Sequence, residues 1–271
     1  MKNETTLKRT TTVSKATERA QVTSVERALT VLELLAEKRQ GMTASDLSRR
    51  ARIPKSSLSY LLRTLVARGY VRRDAETNQH TLGIRMLSLS GQAMQGMELR
   101  EVALPHLRHI TEKTGLGSHL AVLDHNDAVY IERVESPGFI KMATWVGRRM
   151  TPHVTAVGKA LICELDRSEL LEIMASHPTK VVSPKTITSL PRLLRELEEV
   201  RERGVAIDDE EHAARVRCLA APVYAASGEV IAALGVSGTV GQISDELLIK
   251  FGAILRSAAL KLSAQLGSRR R

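Results

Sequence analysis

Residues 43–69 read TASDLSRRARIPKSSLSYLLRTLVARG, and this pattern predicts two short helices joined by a tight turn. Thr43, with an acidic residue one turn later, has the capping-box signature that opens the first helix, which extends to about Ala51. Pro54 suits the first position of the second helix, because the N–H group that proline lacks has no partner there. Gly69 is a residue type that ends helices. The whole stretch has the arrangement of a helix-turn-helix.

The two faces of the second helix differ in polarity. The face that we expect to be buried carries Leu58, Leu61, Leu62, Leu65 and Val66. The other face carries mostly Ser56, Ser57, Tyr60, Arg63 and Thr64. Exposed serine, tyrosine and arginine side chains, on a helix that follows a short helix and a tight turn, suit the reading of base edges in the major groove of DNA.

A β-hairpin is predicted after this helix. Residues 70–73 and 79–82 have strand character and 74–78 form a polar turn, which together make a wing whose Arg72 and Arg73 would face phosphates. The alternative is a small helical domain that binds a protein partner, but three helices, a wing and positive charge together favour DNA. The candidate DNA-binding residues are Thr43, Lys55, Ser56, Ser57, Tyr60, Arg63, Arg72 and Arg73.

The chain before the helix-turn-helix predicts an arm and one more helix. Residues 1–22 are rich in Thr, Lys and Glu and have no apolar period, so we expect a disordered basic arm. Apolar residues recur at helical spacing over 24–37, and Thr23 with Glu26 has a capping-box signature. A winged helix-turn-helix domain is therefore predicted at 23–83.

The positive charge of the chain is concentrated in its first third. Residues 1–85 contain 17 Lys and Arg against 8 Asp and Glu, a net charge of +9, whereas residues 86–271 contain 23 against 22, a net charge of +1. A basic segment attached to a nearly neutral body is typical of nucleic-acid-binding proteins. The alternative, a basic tail that only aids solubility, is disfavoured because the charge continues into a segment that has the pattern of a folded domain.

Length and composition limit the class of protein. The 271 residues suffice for two modest domains, and 43% hydrophobic residues can form buried cores although aromatics are only 3%. We find no secretory signal and no apolar run of ~18 residues, so we predict a cytoplasmic protein without a membrane span. Cys163 and Cys218 suggest neither a disulfide scaffold nor a metal site, and no cofactor is predicted.

The remainder of the chain predicts a linker helix at 84–98, a larger α+β domain at 99–267 and a basic tail at 268–271. The predicted helices of the larger domain are 99–114, 156–164, 167–176, 191–203 and 244–266. The predicted strands are 118–123, 128–134, 141–146, 205–207, 219–224 and 230–237. Pro105 predicts a break or a kink in the first of these helices. Strand hairpins mixed with helices indicate the α+β class.

Several of these strings together resemble the IclR family of bacterial transcription regulators, over about residues 23–266. The resemblance is carried by SVERAL (24–29), IPKSS (53–57), GYV (69–71), VGKAL (157–161), RERGVAID (201–208) and CLAAPV (218–223). It implies a two-domain α+β protein in which a winged helix-turn-helix is joined by a linker helix to a GAF-like effector-binding domain. It also implies a homodimer, often a dimer of dimers, on a near-palindromic operator. Pairing agrees with the small surface that one recognition helix buries.

Ala156, Val157 and Gly158 are the first candidates for the effector site. They stand where a helix begins, and free N–H groups and the helix dipole make such a start attractive to a carboxylate. The alternative is an ordinary small-residue contact between a helix and a sheet. The resemblance implies the ligand, because this turn lines the effector pocket of the family.

Asp208, Cys218 and Ser237 are further effector candidates that the resemblance implies. Without it, Cys218 reads as a buried small hydrophobe and Ser237 as a residue of a turn. The run Asp209–Glu211 is interpreted as a solvated acidic loop. His212 follows it, but no second His or Cys stands at ligand spacing, so no metal site is predicted.

Two positions depart from the family pattern. Arg215 stands where the family usually has Gly, and Gly235 where some relatives carry Ser. Arg215 either pairs with an acidic ligand or points to solvent, and Trp145 either reaches the pocket or belongs to the core. Because the candidates are N–H and hydroxyl donors, we predict that the effector is a small carboxylic acid.

Two other functions are weighed against a ligand-controlled regulator, whether repressor or activator. An enzyme is disfavoured, because residues 115–117 lack the third glycine of a dinucleotide loop and 235–238 are one residue short of a nucleophile elbow. A protein that binds DNA without sequence preference would lack a discrete operator. We therefore predict a sequence-specific regulator and not an enzyme.

Overall fold

The structure is a computed structural model that describes residues 22–38, 40–95, 98–136, 138 and 142–270, without the side chains of 93–95. Of the predicted arm at 1–22, all residues but Val22 lie outside the described residues. The chain divides into two compact units, residues 1–95 and 96–271.

The first unit is a three-helix domain with a small sheet and one additional helix. In chain order it contains α1 (Thr23–Glu37), β1 (Met42–Thr43), α2 (Ala44–Ala51), α3 (Lys55–Ala67), β2 (Val71–Arg73), β3 (Gln79–Leu82) and α4 (Arg85–Gln95). The three strands are antiparallel in the order β1-β3-β2. The predicted helices and hairpin are confirmed, whereas the two-residue strand β1 was not predicted.

Leu58, Leu62 and Leu65 form the buried stripe of α3. Their spacing of four and three residues places them on one line along the helix. The prediction is wrong for Val66, which is 37% exposed because it lies one further step around the helix. Leu61 is partly buried at the margin of the same core.

The helix starts differ from each other in how they are capped. Thr43 caps α2, since its Oγ1 accepts a hydrogen bond from Asp46 N at 3.2 Å and donates one to Asp46 Oδ2 at 2.9 Å. The predicted capping box of Thr23 and Glu26 is wrong: Val22 is the N-cap residue of α1, and no side chain caps this helix. Thr23 lies inside the first turn, so its hydroxyl is one position too late to cap.

The second unit has six strands, one short 3-10 turn and five α-helices in its described residues. In chain order these are α5 (Glu98–Thr114), β4 (Gly117–Asp124), β5 (Asp127–Val134), β6 (Arg149–Met150), the 3-10 turn (Pro152–Val154), α6 (Ala156–Ile162), α7 (Arg167–Ser176), α8 (Leu190–Arg203), β7 (Ala206–Asp209), β8 (Val216–Tyr224), β9 (Val230–Thr239) and α9 (Asp245–Gln265). The strands form one antiparallel sheet in the order β6-β5-β4-β9-β8-β7.

The strand predicted at 141–146 is wrong, and one of the two alternatives at Pro105 is excluded. Residues 142–146 are not a strand. They are followed by a turn in which Arg148 N donates a hydrogen bond to Trp145 O at 3.1 Å and Gly147 has φ +87°. The strand begins only after this turn, at Arg149. Lys141 lies outside the described residues. Of the two alternatives at Pro105, the break is excluded, since α5 continues to Thr114.

Helices cover both faces of the sheet and make two apolar cores. Ala220 and Ala233 face the core formed with α6, α7 and α8, while their strand neighbours Leu219 and Leu234 face the core formed with α5 and α9. Side chains of a strand alternate between faces, so small residues line one face and large ones the other. Short alanine side chains let α6 approach β8 and β9 closely. The α+β class is confirmed.

None of the helices in the described residues combines the length and apolar character that a membrane span requires.

Candidate functional sites

The exposed face of α3 carries polar and basic side chains. Tyr60 is 64% exposed, and Cζ of Arg63 lies 4.8 Å from the centre of its ring. Lys55 and Ser56 are exposed at the start of the helix, and Ser57 is half-buried. The cation–π contact keeps Tyr60 and Arg63 together on the face that was predicted to meet base edges.

An open groove of about 860 Å³ lies between α3, the start of α2 and the wing. Lys55, Ser59 and Arg63 line it from α3, and Arg73 and Asn78 line it from the wing. Ser59 was missed by the sequence analysis. Its position one turn before Arg63, on the polar side of a predicted helix, was the signal that could have identified it.

Some predicted DNA contacts already have partners within the unit. The hydroxyl of Thr43 is used in the cap of α2, so the structure gives this residue a structural role. Arg73 donates to Asn78 Oδ1 at 2.6 Å. Arg72, its neighbour on β2, is exposed and forms no ion pair with any described residue.

The turn of the wing is held by one carboxylate. Asp74 Oδ1 accepts hydrogen bonds from Thr77 N at 2.8 Å, Thr77 Oγ1 at 2.9 Å and Glu76 N at 3.0 Å. The hydrogen bonds from Thr77, in the first place, hold the pKa of Asp74 below its usual value. The wing therefore presents Arg72 and Arg73 from an ordered hairpin.

The first unit exposes an unusual number of large apolar side chains, on α1 and around the start of α4. They are Val22, Val25, Leu29, Leu82, Ile84, Leu87 and Leu89. Exposed apolar side chains become an interaction site where they join into one patch.

In the second unit, strand register brings three predicted effector residues into one row. Cys218 on β8 is the cross-strand partner of Asp208 on β7 and of Ser237 on β9. The Cys218 thiol donates to Ser237 Oγ at 3.3 Å. Burial raises the pKa of this thiol, so it remains protonated. The protonated thiol contributes a weakly polar group to its surroundings and is not a nucleophile.

These three residues line a cavity with the start of α6. Ala156 and Val157 complete that part of the wall, and the enclosed space is about 20 Å³, enough for one water molecule. We name it the effector cavity after the predicted effector residues that line it. Since α6 has only seven residues, the helix dipole on which the sequence analysis relied contributes little here.

Gly158 does not line the effector cavity, which corrects its prediction as an effector contact. A Cβ atom at this position would lie 2.3 Å from both Cα and O of Pro152. The glycine is therefore needed for the close approach of α6 to the 3-10 turn at 152–154.

Asp208 lies in the cavity wall, but its carboxylate is occupied by its own loop. Oδ1 accepts hydrogen bonds from Glu211 N at 2.9 Å and His212 N at 3.4 Å, and Oδ2 pairs with His212 Nδ1. The side chain of Asp208 is fully buried. It therefore positions His212, which also lines the cavity.

His119 and Tyr130 line the cavity and were missed by the sequence analysis. Their rings meet edge to face with centres 4.6 Å apart, and both are at least 95% buried, at 3% and 5% exposure. Burial, with a smaller contribution from the Arg133 charge, lowers the pKa of His119 to about 3, so the imidazole is neutral. The strands were predicted, but only the pairing of β4 with β9 shows that His119 lies beside the row of Cys218 and Ser237.

Arg148 is a second cavity residue that the sequence analysis missed. Its guanidinium donates to Ala143 O, lies 4.9 Å from the ring centre of Trp145, and forms no ion pair with any described residue. Its positive charge acts on the Cys218 thiol, where it opposes the larger effect of burial. Trp145 is 50% exposed and does not line the cavity, although Arg148, which does, packs over its ring.

Arg215 is exposed and does not line the cavity either. Its backbone adopts φ 62°, a left-handed conformation that favours glycine, in the turn before β8. Its amide donates to Glu210 Oε2 at 2.9 Å and its carbonyl accepts from Val240 N at 3.1 Å. Its exposed position agrees with the alternative in which Arg215 points to solvent.

The acidic run after Asp208 is only partly solvated. Glu211 is 6% exposed, and its Oε1 accepts from Nζ of the fully buried Lys159 at 2.6 Å. Burial raises the pKa of Glu211 to about 7, against the effect of Lys159. The interpretation of Asp209–Glu211 as a solvated loop is therefore wrong for Glu211. No group of three or more potential His, Cys, Asp or Glu metal ligands occurs among the described residues.

Comparison with known proteins identifies similar chains over nearly the whole length. The family model for the "IclR helix-turn-helix domain" matches residues 24–75, and that for "Bacterial transcriptional regulator IclR C-terminal" matches 91–264. The regulator XynR of Escherichia coli is 34% identical over 246 residues, covering 91% of this chain and 98% of that protein.

Solved structures of similar chains share the fold. An IclR-type regulator from Alicyclobacillus acidocaldarius has a TM-score of 0.79 at 27% identity and covers 91% of this chain and 100% of its own. An IclR homologue from Microbacterium hydrocarbonoxydans, crystallised with 4-hydroxybenzoate, has a TM-score of 0.76 at 28% identity, with 90% and 98% covered.

Proposed function

Because the chain belongs to the IclR family of bacterial transcriptional regulators, we propose that it binds a specific operator and releases or tightens it in response to a small carboxylic acid in the effector cavity. Its named relatives are transcriptional regulators and repressors rather than enzymes. The DNA-binding unit is the helix-turn-helix domain, and the protein acts in the cytoplasm, where its operator lies.

The observation that supports a carboxylic acid as the effector is the position of the Arg148 guanidinium in the cavity wall. The Arg148 guanidinium lies in the cavity wall and forms no ion pair with any described residue, whereas the Asp208 carboxylate of the same wall is bound by its own loop. Such a cation is a favourable partner for a ligand carboxylate, which guanidinium binds through two parallel hydrogen bonds. The hydroxyl of Ser237 lies in the same wall. The homologue crystallised with 4-hydroxybenzoate is a relative that holds an acid of this class.

The size of the cavity supports control by population shift. A space of about 20 Å³ holds a water molecule but not an organic acid, so the acid binds a more open arrangement than the one described. A ligand that binds one arrangement better than another shifts the equilibrium by that difference in affinity. We propose that the shift reaches the recognition helices through α4 and α5.

We propose that α3 and the wing contact the DNA. Lys55, Ser56, Ser57, Tyr60 and Arg63 enter the major groove, while Arg72 and Arg73 contact phosphates. The exposed apolar side chains of α1 and of the region around the start of α4 support a homodimer, because a second copy would cover them. A dimer places two recognition helices on a near-palindromic operator, and two dimers form the tetramer that the family resemblance implies.

A ligand panel with two arginine variants tests the effector. We expect small carboxylic acids to raise the melting temperature of the wild type, and Arg148→Ala to abolish the increase. Arg215→Ala is the matched control, since it removes the same charge from an exposed position outside the cavity. Stabilisation by neutral sugars or amines, with none by carboxylates, would contradict the proposal.

A footprint tests the DNA-binding part. The dimer should protect a discrete near-palindrome in the upstream region of its own gene, with half-sites about one helical turn apart or a multiple of it. Even protection of all DNA would instead indicate binding without sequence preference.

A further inference from the structure

The imidazole of His119 lies in the wall of the effector cavity without a hydrogen-bond partner among the described residues. Only 3% of the residue is exposed. Buried polar groups of native proteins are nearly always hydrogen-bonded. The His119 ring contacts Tyr130 only through its edge or face. A ring nitrogen is therefore available to hydrogen-bond a molecule that enters the cavity.

Gly235 provides the space that His119 occupies. The two residues are cross-strand partners on β4 and β9. A Cβ atom at position 235 would lie 2.6 Å from His119 Nε2 and 2.9 Å from Cγ1 of Val157, which belongs to the cavity wall. The glycine thus lets the imidazole lean across β9 toward the start of α6.

His119 also lines a second space of about 20 Å³ next to the effector cavity. Met142, Thr144 and Ser237 line both spaces with it. The side chains that line both spaces, His119 among them, are positioned to contact a molecule that extends from one space into the other.

The protonation state of His119 defines what it can bind. Burial keeps its pKa near 3, so at neutral pH one ring nitrogen donates a hydrogen bond and the other accepts one. A hydroxyl group both donates and accepts, so it pairs with either tautomer. A methylene or an aromatic C–H at the same place pairs with neither.

We infer that His119 determines the specificity of the effector cavity by hydrogen bonding to a hydroxyl group, so that the effector is a hydroxylated carboxylic acid. The inference rests on the proposed carboxylate contact at Arg148 and adds a second polar group to the same ligand. Gly235 is the positioning residue, because it permits the imidazole to reach this place.

Matched acids with and without a hydroxyl group test the inference on the wild-type protein. The probes are lactate with propionate, 4-hydroxybenzoate with benzoate, and gluconate with hexanoate, each titrated by calorimetry. In at least one pair we expect the hydroxylated acid to bind about tenfold more tightly or better, a ratio that corresponds to one hydrogen bond to a buried group.

Two variants assign that preference to His119. His119→Phe retains an aromatic ring against Tyr130 and loses both nitrogens, so the hydroxylated acid should bind about tenfold more weakly while its matched acid keeps its affinity. Gly235→Ala should reduce the preference in the same direction, because its methyl group displaces the imidazole. His119→Gln, which keeps a donor and an acceptor, should retain part of the preference.

The possible outcomes separate this inference from the proposed function. Equal affinity within all pairs overturns the role of His119 and leaves the acid effector standing. A preference that persists in both His119→Phe and Gly235→Ala shows that another group reads the hydroxyl, and overturns the inference as well. Failure of every acid to bind the wild type overturns the acid effector and the inference together. If His119→Phe does not fold, the wild-type pairs and Gly235→Ala decide.

Discussion

Gly158→Ala adds one carbon atom at the closest approach found for any described glycine of the second unit. The new Cβ would lie 2.3 Å from Cα and O of Pro152 and 2.6 Å from its carbonyl carbon. To reach ordinary contact, α6 must move by about 1 Å, yet each of its seven residues is buried. Such overpacking costs about 1–3 kcal/mol, and the better helix propensity of alanine recovers at most about 1 kcal/mol. We expect a net loss of about 2 kcal/mol and a melting temperature lower by about 5 °C.

Gly252→Ala is the matched control for this prediction. Gly252 is also a buried helical glycine, on α9, but a Cβ there would have its nearest neighbours, Cγ1 and Cγ2 of Val205, at 3.8 Å. The substitution should therefore be neutral or stabilising by up to about 1 kcal/mol. Thermal unfolding followed by circular dichroism compares both variants with the wild type. A melting temperature of Gly158→Ala equal to or above that of Gly252→Ala would refute the reasoning from close approach.

The other predictions concern DNA binding, capping and pH. Arg63→Ala should weaken operator binding by about 1–3 kcal/mol and change base preference, whereas Arg72→Ala should weaken binding evenly across sequences; gel shifts on single-base operator variants check this, and unchanged preference in both contradicts the assignment. Thr43→Ala should cost about 1 kcal/mol of stability through the lost cap of α2, measured by thermal unfolding, and an unchanged melting temperature would count against that cap. The folded state binds the proton of Glu211 up to about pH 7 and the unfolded state only to about 4.5, so stability should fall as pH rises between these values, by up to about 3 kcal/mol, and then level off. Denaturant titrations should show this slope in the wild type and not in Glu211→Gln; parallel curves would contradict the raised pKa.

The first unit could be predicted almost completely from sequence. Its helices are amphipathic, its turns contain Pro54 and Gly69, and its wing has a polar tip, all of which are local signals within a few residues of the structure that they specify. The failures were also local in scale. The cap at Thr23 was displaced by one residue, and Val66 lies one step off the buried line of α3.

The effector cavity could be predicted only in part. Cys218, Ser237 and Asp208 were found through the resemblance to a family, and strand register then brought them into one row. Arg148 and His119 were missed because nothing within their own segments marks them. Arg148 follows a turn where a strand was expected, and His119 has the alternation of any strand residue.

For this protein, sequence alone determined a basic winged helix-turn-helix, an α+β second domain and the polar residues that distinguish the faces of α3. Those properties depend on periodicity, capping and charge, which act over one or two turns of chain. The tertiary structure decided that Gly158 serves a close backbone approach, that Arg215 lies outside the cavity, and that Arg148 and His119 lie in its wall. The cavity is built where β4, β8, β9 and the start of α6 meet, and residues more than one hundred positions apart become neighbours only through strand pairing.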